Sequence, residues 1–202
     1  MRKWRLNALV AGLVGIFALT ACKKDPVEPY DFGMRLDIEA PILQRYVDSL
    51  VTAGEISQSH LQMDDRGIWF ELLDPGDGNY NYRFEMLPDF TKVIHAPKVT
   101  IKYSGKLLNG FEFDKNTNPN GDTFALTNVI PAWIWCFLPQ TIEGEDIGDY
   151  AGLTYAGISK GAKIRFITPS PYAYQDQVRG SIPPNSPLDF TIEVIDIVDQ
   201  TQ

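Results

Sequence analysis

Val99-Thr100-Ile101-Lys102-Tyr103-Ser104-Gly105, followed by Asn109-Gly110-Phe111-Glu112-Phe113-Asp114, is the stretch on which the fold turns. Val99, Ile101 and Tyr103 alternate with polar residues, the period of two that a half-buried strand requires, and the run closes on Ser104-Gly105. Asn109-Gly110 suits a tight hairpin because both residues tolerate a left-handed backbone, so Phe111 and Phe113 open a second, antiparallel strand. Further on, Ile164 and Phe166 alternate with Lys163 and Arg165, and Leu188, Phe190, Ile192 and Val194 with Asp189, Thr191 and Glu193. The only helical segment inside this region is short, around Ile130 to Phe137. The expected class is α+β, a curved antiparallel β-sheet wrapped on a short helix.

Working outward toward the N-terminus, Ile68, Trp69, Phe70, Leu72 and Leu73 read as another strand, closed by the turn residues Asp74-Pro75-Gly76-Asp77-Gly78. Residues 79–96 lack a clear period, and Tyr80, Tyr82, Phe84 and Phe90 fit either a short extra hairpin or an ordered loop. Between residues 37 and 53, Ile42, Leu43, Tyr46, Val47, Leu50 and Val51 recur at helical spacing, with Pro41 early and Gly54 just beyond the end. That amphipathic helix packs on the main domain or on a second copy, so a homodimer stays open. The organisation expected is an N-terminal helical extension over residues 37–60 and a main domain over 61–202.

The front of the chain reads as an export signal. Arg2, Lys3 and Arg5 form a basic start, and the 14 residues from Ala8 to Ala21 are an apolar run ending in small residues. A membrane-spanning helix needs about 20 apolar residues, so residues 1–21 are expected to be removed. Leu19-Thr20-Ala21-Cys22 resembles the lipobox of bacterial lipoproteins, which implies that Cys22 is acylated and anchors the chain to a membrane. Residues 22–36, with Lys23, Lys24, Asp25, Pro26, Glu28 and Pro29, read as a tether. Lysine directly after the cysteine resembles outer-membrane lipoproteins, and Lys-Lys-Asp is similar to surface-export signals of the Bacteroidetes. Attachment to the bacterial envelope follows as an expectation, on a periplasmic or surface face.

Charge and composition then narrow the chemistry. Eighteen Lys and Arg against 26 Asp and Glu give a net charge of −8, so attraction to a phosphate backbone cannot drive binding and nucleic acid is not an expected partner. Two cysteines and two histidines exclude zinc-finger, iron–sulfur and multi-disulfide frameworks, and no metal or cofactor is expected. His60 and His95 are isolated and read as surface residues. Asn116, Asn118 and Asn120 with Gly121 begin like a calcium loop, but Thr127 stands where the closing glutamate belongs. No GxSxG, Walker-type or GxGxxG segment is present, which removes the main support for hydrolase, kinase and dehydrogenase chemistry.

What remains is a set of aromatic and branched aliphatic residues with one acid, and taken alone it fits a plain core. Its order along the chain says more. Val-Thr-Ile-Lys-Tyr103-Ser-Gly, Asn-Gly-Phe-Glu-Phe113-Asp114, Val129-Ile130-Pro-Ala-Trp133, Lys160-Gly161-Ala-Lys-Ile, Tyr172-Ala-Tyr174, Ile182-Pro183-Pro184 and Leu188-Asp-Phe190 follow one another in residues 96–198. This series resembles the FKBP-type peptidyl-prolyl cis–trans isomerases, the macrolide-binding immunophilins.

The resemblance implies an FKBP-like fold and an enzyme that accelerates rotation about Xaa-Pro bonds by desolvation and hydrogen bonding, with proline-containing polypeptides as clients. It implies that Trp133 floors the pocket, that Tyr103, Phe113, Val129, Ile130 and Phe190 wall it, and that Asp114 is the acid at its edge, whose role is to polarise the carbonyl region, to orient Tyr174, or structurally to hold a neighbouring donor. It further implies that Tyr174 supplies a hydroxyl and the Ile182 segment a backbone N–H to the substrate. The chain departs from the family pattern at Gln175 and Ala132, where glycines are usual, and in a shortened loop where Phe124 is the counterpart available for a missing aromatic. The stretch from Trp133 to Gly161 is longer than usual, carries Cys136, Pro139 and an acidic run from Glu143 to Asp149, and is long enough to reshape or partly cover the pocket, its role being left open. Two other readings stand beside the enzyme: an FKBP scaffold kept as a non-catalytic peptide or partner-binding module, and an anchored structural lipoprotein.

Overall fold

The structure, a computed structural model, describes residues 29–200; the expected export signal, Cys22 and the first part of the expected tether lie outside the described residues. The first element is helix α1, Phe32–Thr52. It starts five residues earlier than the apolar spacing indicates, because Asp31 caps it by accepting the Met34 N–H at 2.9 Å. Residues 32–36 are therefore helix and not tether, and Pro41 lies inside the helix instead of at its start. The C-terminus closes with Gly54 at φ +74°, its N–H on the Val51 carbonyl and the Glu55 N–H on the Leu50 carbonyl, a wrap that needs a left-handed residue. Glu39, Leu43, Val47 and Leu50 form the buried stripe of α1. The three apolar members pack with Ile56 and with Ile167 of the main domain.

Strands β1 (Leu61–Met63), β2 (Trp69–Asp74), β5 (Lys98–Leu107), β6 (Glu112–Asn116), β7 (Asp122–Ala125), β10 (Lys163–Thr168) and β11 (Leu188–Val198) make one antiparallel sheet, ordered β1-β2-β10-β11-β5-β6. The long β5 pairs with β7 through Lys98–Ile101 and then with β6 through Tyr103–Lys106, so the turn at Asn116–Gly121 splits one edge into two short strands. Register shifts between Val194 and Asp196, between Gly105 and Lys106, and between Lys163 and Ile164 bend the strands. Residues 79–96 contain the hairpin β3 (Phe84–Met86) and β4 (Lys92–Ile94). His95, expected at the surface, is buried beneath it, its Nδ1 2.6 Å from Glu85 Oε2 and its Nε2 3.3 Å from Asp199 Oδ1.

Helix α2, Pro131–Phe137, sits on the sheet, starting with proline at its first position, where no N–H is needed. Ala132, Trp133, Cys136 and Phe137 enter the core with Ile101, Ile164, Phe166, Ile192 and Val194. Cys136 is a free thiol with no exposed surface, and burial pushes its pKa far above the usual range. The residues after α2 form the two-residue strands β8 (Thr141–Ile142) and β9 (Glu145–Asp146) and send Ile142, Ile147, Leu153 and Ile158 into the same core. Among the described residues no helix is long and apolar enough to cross a membrane.

Candidate active site

The lead-in to α2 is extended: Val129 has ψ 168° and Ile130 ψ 152°, so both side chains line the mouth of a cavity while Trp133, one turn later, forms its base. The cavity measures about 560 Å³ and is walled by Tyr103 of β5, Phe113 and Asp114 of β6, Phe124 of β7, Phe190 of β11, and Ala173 and Tyr174 from the segment after β10. Tyr103, Phe124 and Phe190 each meet Trp133 edge to face with ring centroids 5.5 Å apart, the arrangement that aromatic quadrupoles favour. Gly105 makes room for two of these rings. A Cβ there would lie 2.5 Å from Phe113 Cζ and 2.9 Å from Phe190 Cε1.

Eight of the nine expected side chains thus converge on one cavity, and Phe124 takes its place among the aromatics. Ile182 does not line it. That side chain is buried, and its N–H donates to the Arg179 carbonyl at 2.9 Å, so the N–H assigned to a substrate is already used. Among the described residues the Ile130 N–H makes no hydrogen bond, which leaves it available at the cavity wall. The sequence signal for it is the extended residue that must precede Pro131.

Asp114 Oδ2 accepts the Tyr103 hydroxyl at 2.8 Å. Of the roles open to the acid, the structure shows the holding of a neighbouring donor, and that donor is Tyr103 and not Tyr174. Burial first, and then donation to Asp114, raises the Tyr103 pKa, and burial also raises that of Tyr174 against the opposing pull of Arg179. Both phenols are protonated at neutral pH; the Tyr103 O–H is committed to Asp114, and Tyr174 presents an O–H donor. The Arg179 guanidinium lies 5.9 Å from the Tyr174 ring and lines the cavity with Gln175 and Gln177, three polar residues that sequence reasoning did not place there. Gln175 has φ +54°, which explains why glycine suits this position.

None of residues 134–160 lines the cavity. The insertion covers the opposite side of α2 instead: Trp135 donates its indole N–H to the Asp149 carbonyl at 2.7 Å, and the Ile158 N–H reaches the Phe137 carbonyl at 3.0 Å. Gly152 packs so tightly against the Leu138 carbonyl that a Cβ has no space there.

A model of the FKBP-type peptidyl-prolyl cis-trans isomerases matches residues 91–195, about half of the chain. The chain belongs to this family. Among relatives of this FKBP-family chain, the FKBP-type peptidyl-prolyl cis-trans isomerase FkpA of Buchnera aphidicola subsp. Baizongia pistaciae is 39% identical over 109 residues, covering 52% of this chain and 36% of the relative. FkpA of Escherichia coli is 35% identical over 108 residues, 50% of this chain and 33% of the relative. A peptidyl-prolyl cis-trans isomerase of Saccharomyces cerevisiae is 37% identical over 107 residues, 53% of this chain and 22% of the relative. The chain thus spans between about a fifth and about a third of these proteins' lengths. The crystal structure of Escherichia coli FkpA shares the fold, with a TM-score of 0.51 at 23% identity over 83% of this chain and 64% of that one.

Proposed function

We propose that this chain is a peptidyl-prolyl cis–trans isomerase. The observation that carries the reading is the cavity itself: Trp133 at its base, three rings edge-on to it, and hydroxyl and backbone donors at the rim. An Xaa-Pro bond resists rotation through a barrier of about 18–20 kcal/mol set by amide resonance. The planar imide has the more charge-separated carbonyl and loses more on leaving water than the twisted form, so an apolar cavity lowers the barrier. A thousandfold acceleration needs about 4 kcal/mol, within reach of desolvation together with hydrogen bonds that strengthen as the amide twists. In this reading the proline ring lies on Trp133, the Ile130 N–H and Tyr174 hydroxyl hold substrate carbonyls, and Tyr103, fixed by Asp114, keeps the polar edge in place.

The proposal extends to place and clients. Cys22 carries the lipid, the tether and α1 follow, and the pocket works on proline-containing segments of envelope proteins. A protease-coupled cis–trans assay on a short Xaa-Pro peptide tests the activity. The enzyme accelerates exchange, whereas a non-catalytic binding module competes for the peptide without accelerating it and would overturn the proposal. Radiolabelled palmitate incorporation that disappears in Cys22→Ser tests the anchor.

A further inference from the structure

Helix α1 reaches the main domain through two polar contacts beside its apolar stripe: the Tyr46 hydroxyl donates to Asp189 at 2.8 Å, and Glu39 meets Ser170. Glu39 is 1% exposed, and its carboxylate accepts the Ser170 N–H at 2.7 Å and the Ser170 hydroxyl at 2.6 Å, across 131 residues of chain. Arg35, one turn back, holds its Nε 4.0 Å from the same carboxylate. Burying a carboxylate costs free energy that Leu43 and Val47, docking α1 a turn or two further on, do not incur. What the Glu39 contact adds is direction.

Ser170 is the hinge of the segment that carries the cavity wall. Its carbonyl accepts the Ala173 N–H at 3.0 Å and the Gln175 N–H at 2.9 Å, so the turn that brackets Tyr174 closes on the residue Glu39 holds. The Gln175 carbonyl in turn accepts the Asn185 N–H at 2.7 Å, which fixes the far end of the turn. Phe32, at the start of α1, meets Tyr172 edge to face at 5.2 Å and braces the same segment. Resting on the isomerase reading above, we infer that Glu39 is a positioning residue which, through Ser170, sets the Tyr174 wall of the proline pocket. The N-terminal helix is then part of how the pocket recognises its substrate.

The test uses the full chain and compares Glu39→Leu, Glu39→Gln, Ser170→Ala and Leu43→Ala. Leucine fills the space without an acceptor, whereas glutamine can accept the Ser170 N–H and donate to its hydroxyl. Losing about one hydrogen bond's worth of substrate positioning raises KM for an Xaa-Pro peptide about fivefold in Glu39→Leu, with kcat within about twofold. Glu39→Gln restores KM, and Ser170→Ala shows a smaller rise. The Tyr174 ring signals in NMR spectra, assigned by their loss in Tyr174→Phe, move in Glu39→Leu and Ser170→Ala and stay in Glu39→Gln. Leu43→Ala lowers the melting temperature but leaves KM and those signals in place.

Unmoved Tyr174 signals in both Glu39→Leu and Ser170→Ala, or equal shifts in Leu43→Ala, overturn the inference. If Glu39→Leu fails to fold, Ser170→Ala decides alone by the same signals. Should the wild-type chain accelerate nothing, the isomerase reading fails by itself, while the ring signals and calorimetric peptide affinity still judge Glu39.

Discussion

Helix α2 carries two tryptophans two positions apart, Trp133 and Trp135, and they do opposite things. Trp133 is 7% exposed, is met by three ring edges, and has an indole N–H without a partner among the described residues. Trp135 has its N–H on the Asp149 carbonyl, the Arg66 guanidinium 4.3 Å above its ring, and Tyr172 edge-on at 5.0 Å. One side of the helix faces the aromatic cavity; the other leaves Trp135 half-buried, clasped by the insertion and by Arg66. The same amphipathic turn thus separates a surface for a ligand from a surface for the chain's own stability.

The largest expected effect breaks that comparison directly. Trp133→Ala should cut kcat/KM for an Xaa-Pro peptide by about a hundredfold, equivalent to about 2.7 kcal/mol of lost transition-state binding, with the fold retained. Trp135→Ala should do the reverse, costing about 3 kcal/mol in urea unfolding while leaving kcat/KM within about twofold. Loss of activity in both at equal stability would remove the distinction between the two faces.

The cavity side can be sharpened through the Tyr103–Asp114 pair. Tyr103→Phe and Asp114→Ala should each lower kcat/KM about fivefold, and the double variant should be no worse than either, because both act through one hydrogen bond. Additive losses would mean that Asp114 acts on the substrate independently.

The smallest effect lies away from both tryptophans, in the clasp that ties Arg83, Tyr80 and His95 to Asp199. The Arg83 fork, at 2.9 and 2.7 Å, is the main cause holding the Asp199 pKa down at about 2. A carboxylate depressed from its ordinary value of about 3.9 contributes stability above that pH, and the contribution fades as pH falls through about 2. Asp199→Asn should therefore flatten the loss of melting temperature between those limits and leave isomerisation at neutral pH unchanged.

Sequence reading reached the sheet because β5, β10 and β11 alternate cleanly and the Asn109-Gly110 turn pairs β5 with β6. It missed the start of α1, since Asp31 acts through a cap and not through apolar spacing. The cavity side chains were legible as motifs, whereas the Ile130 N–H, Gln177 and Arg179 were not, because backbone availability and loop course carry no side-chain pattern. His95 was misplaced for a related reason: its partners, Glu85 and Asp199, are far from one another in sequence. The insertion was seen but its role stayed open, because which face of α2 it covers depends on its hydrogen bonds and not on its composition.

Cys136, sealed in the core beneath α2, gives the molecule a built-in clock. A thiol reagent can reach that sulfur only when α2 lifts from the sheet. Labelling kinetics therefore time the opening of the core from within, and a proline peptide seated on the neighbouring face should slow them.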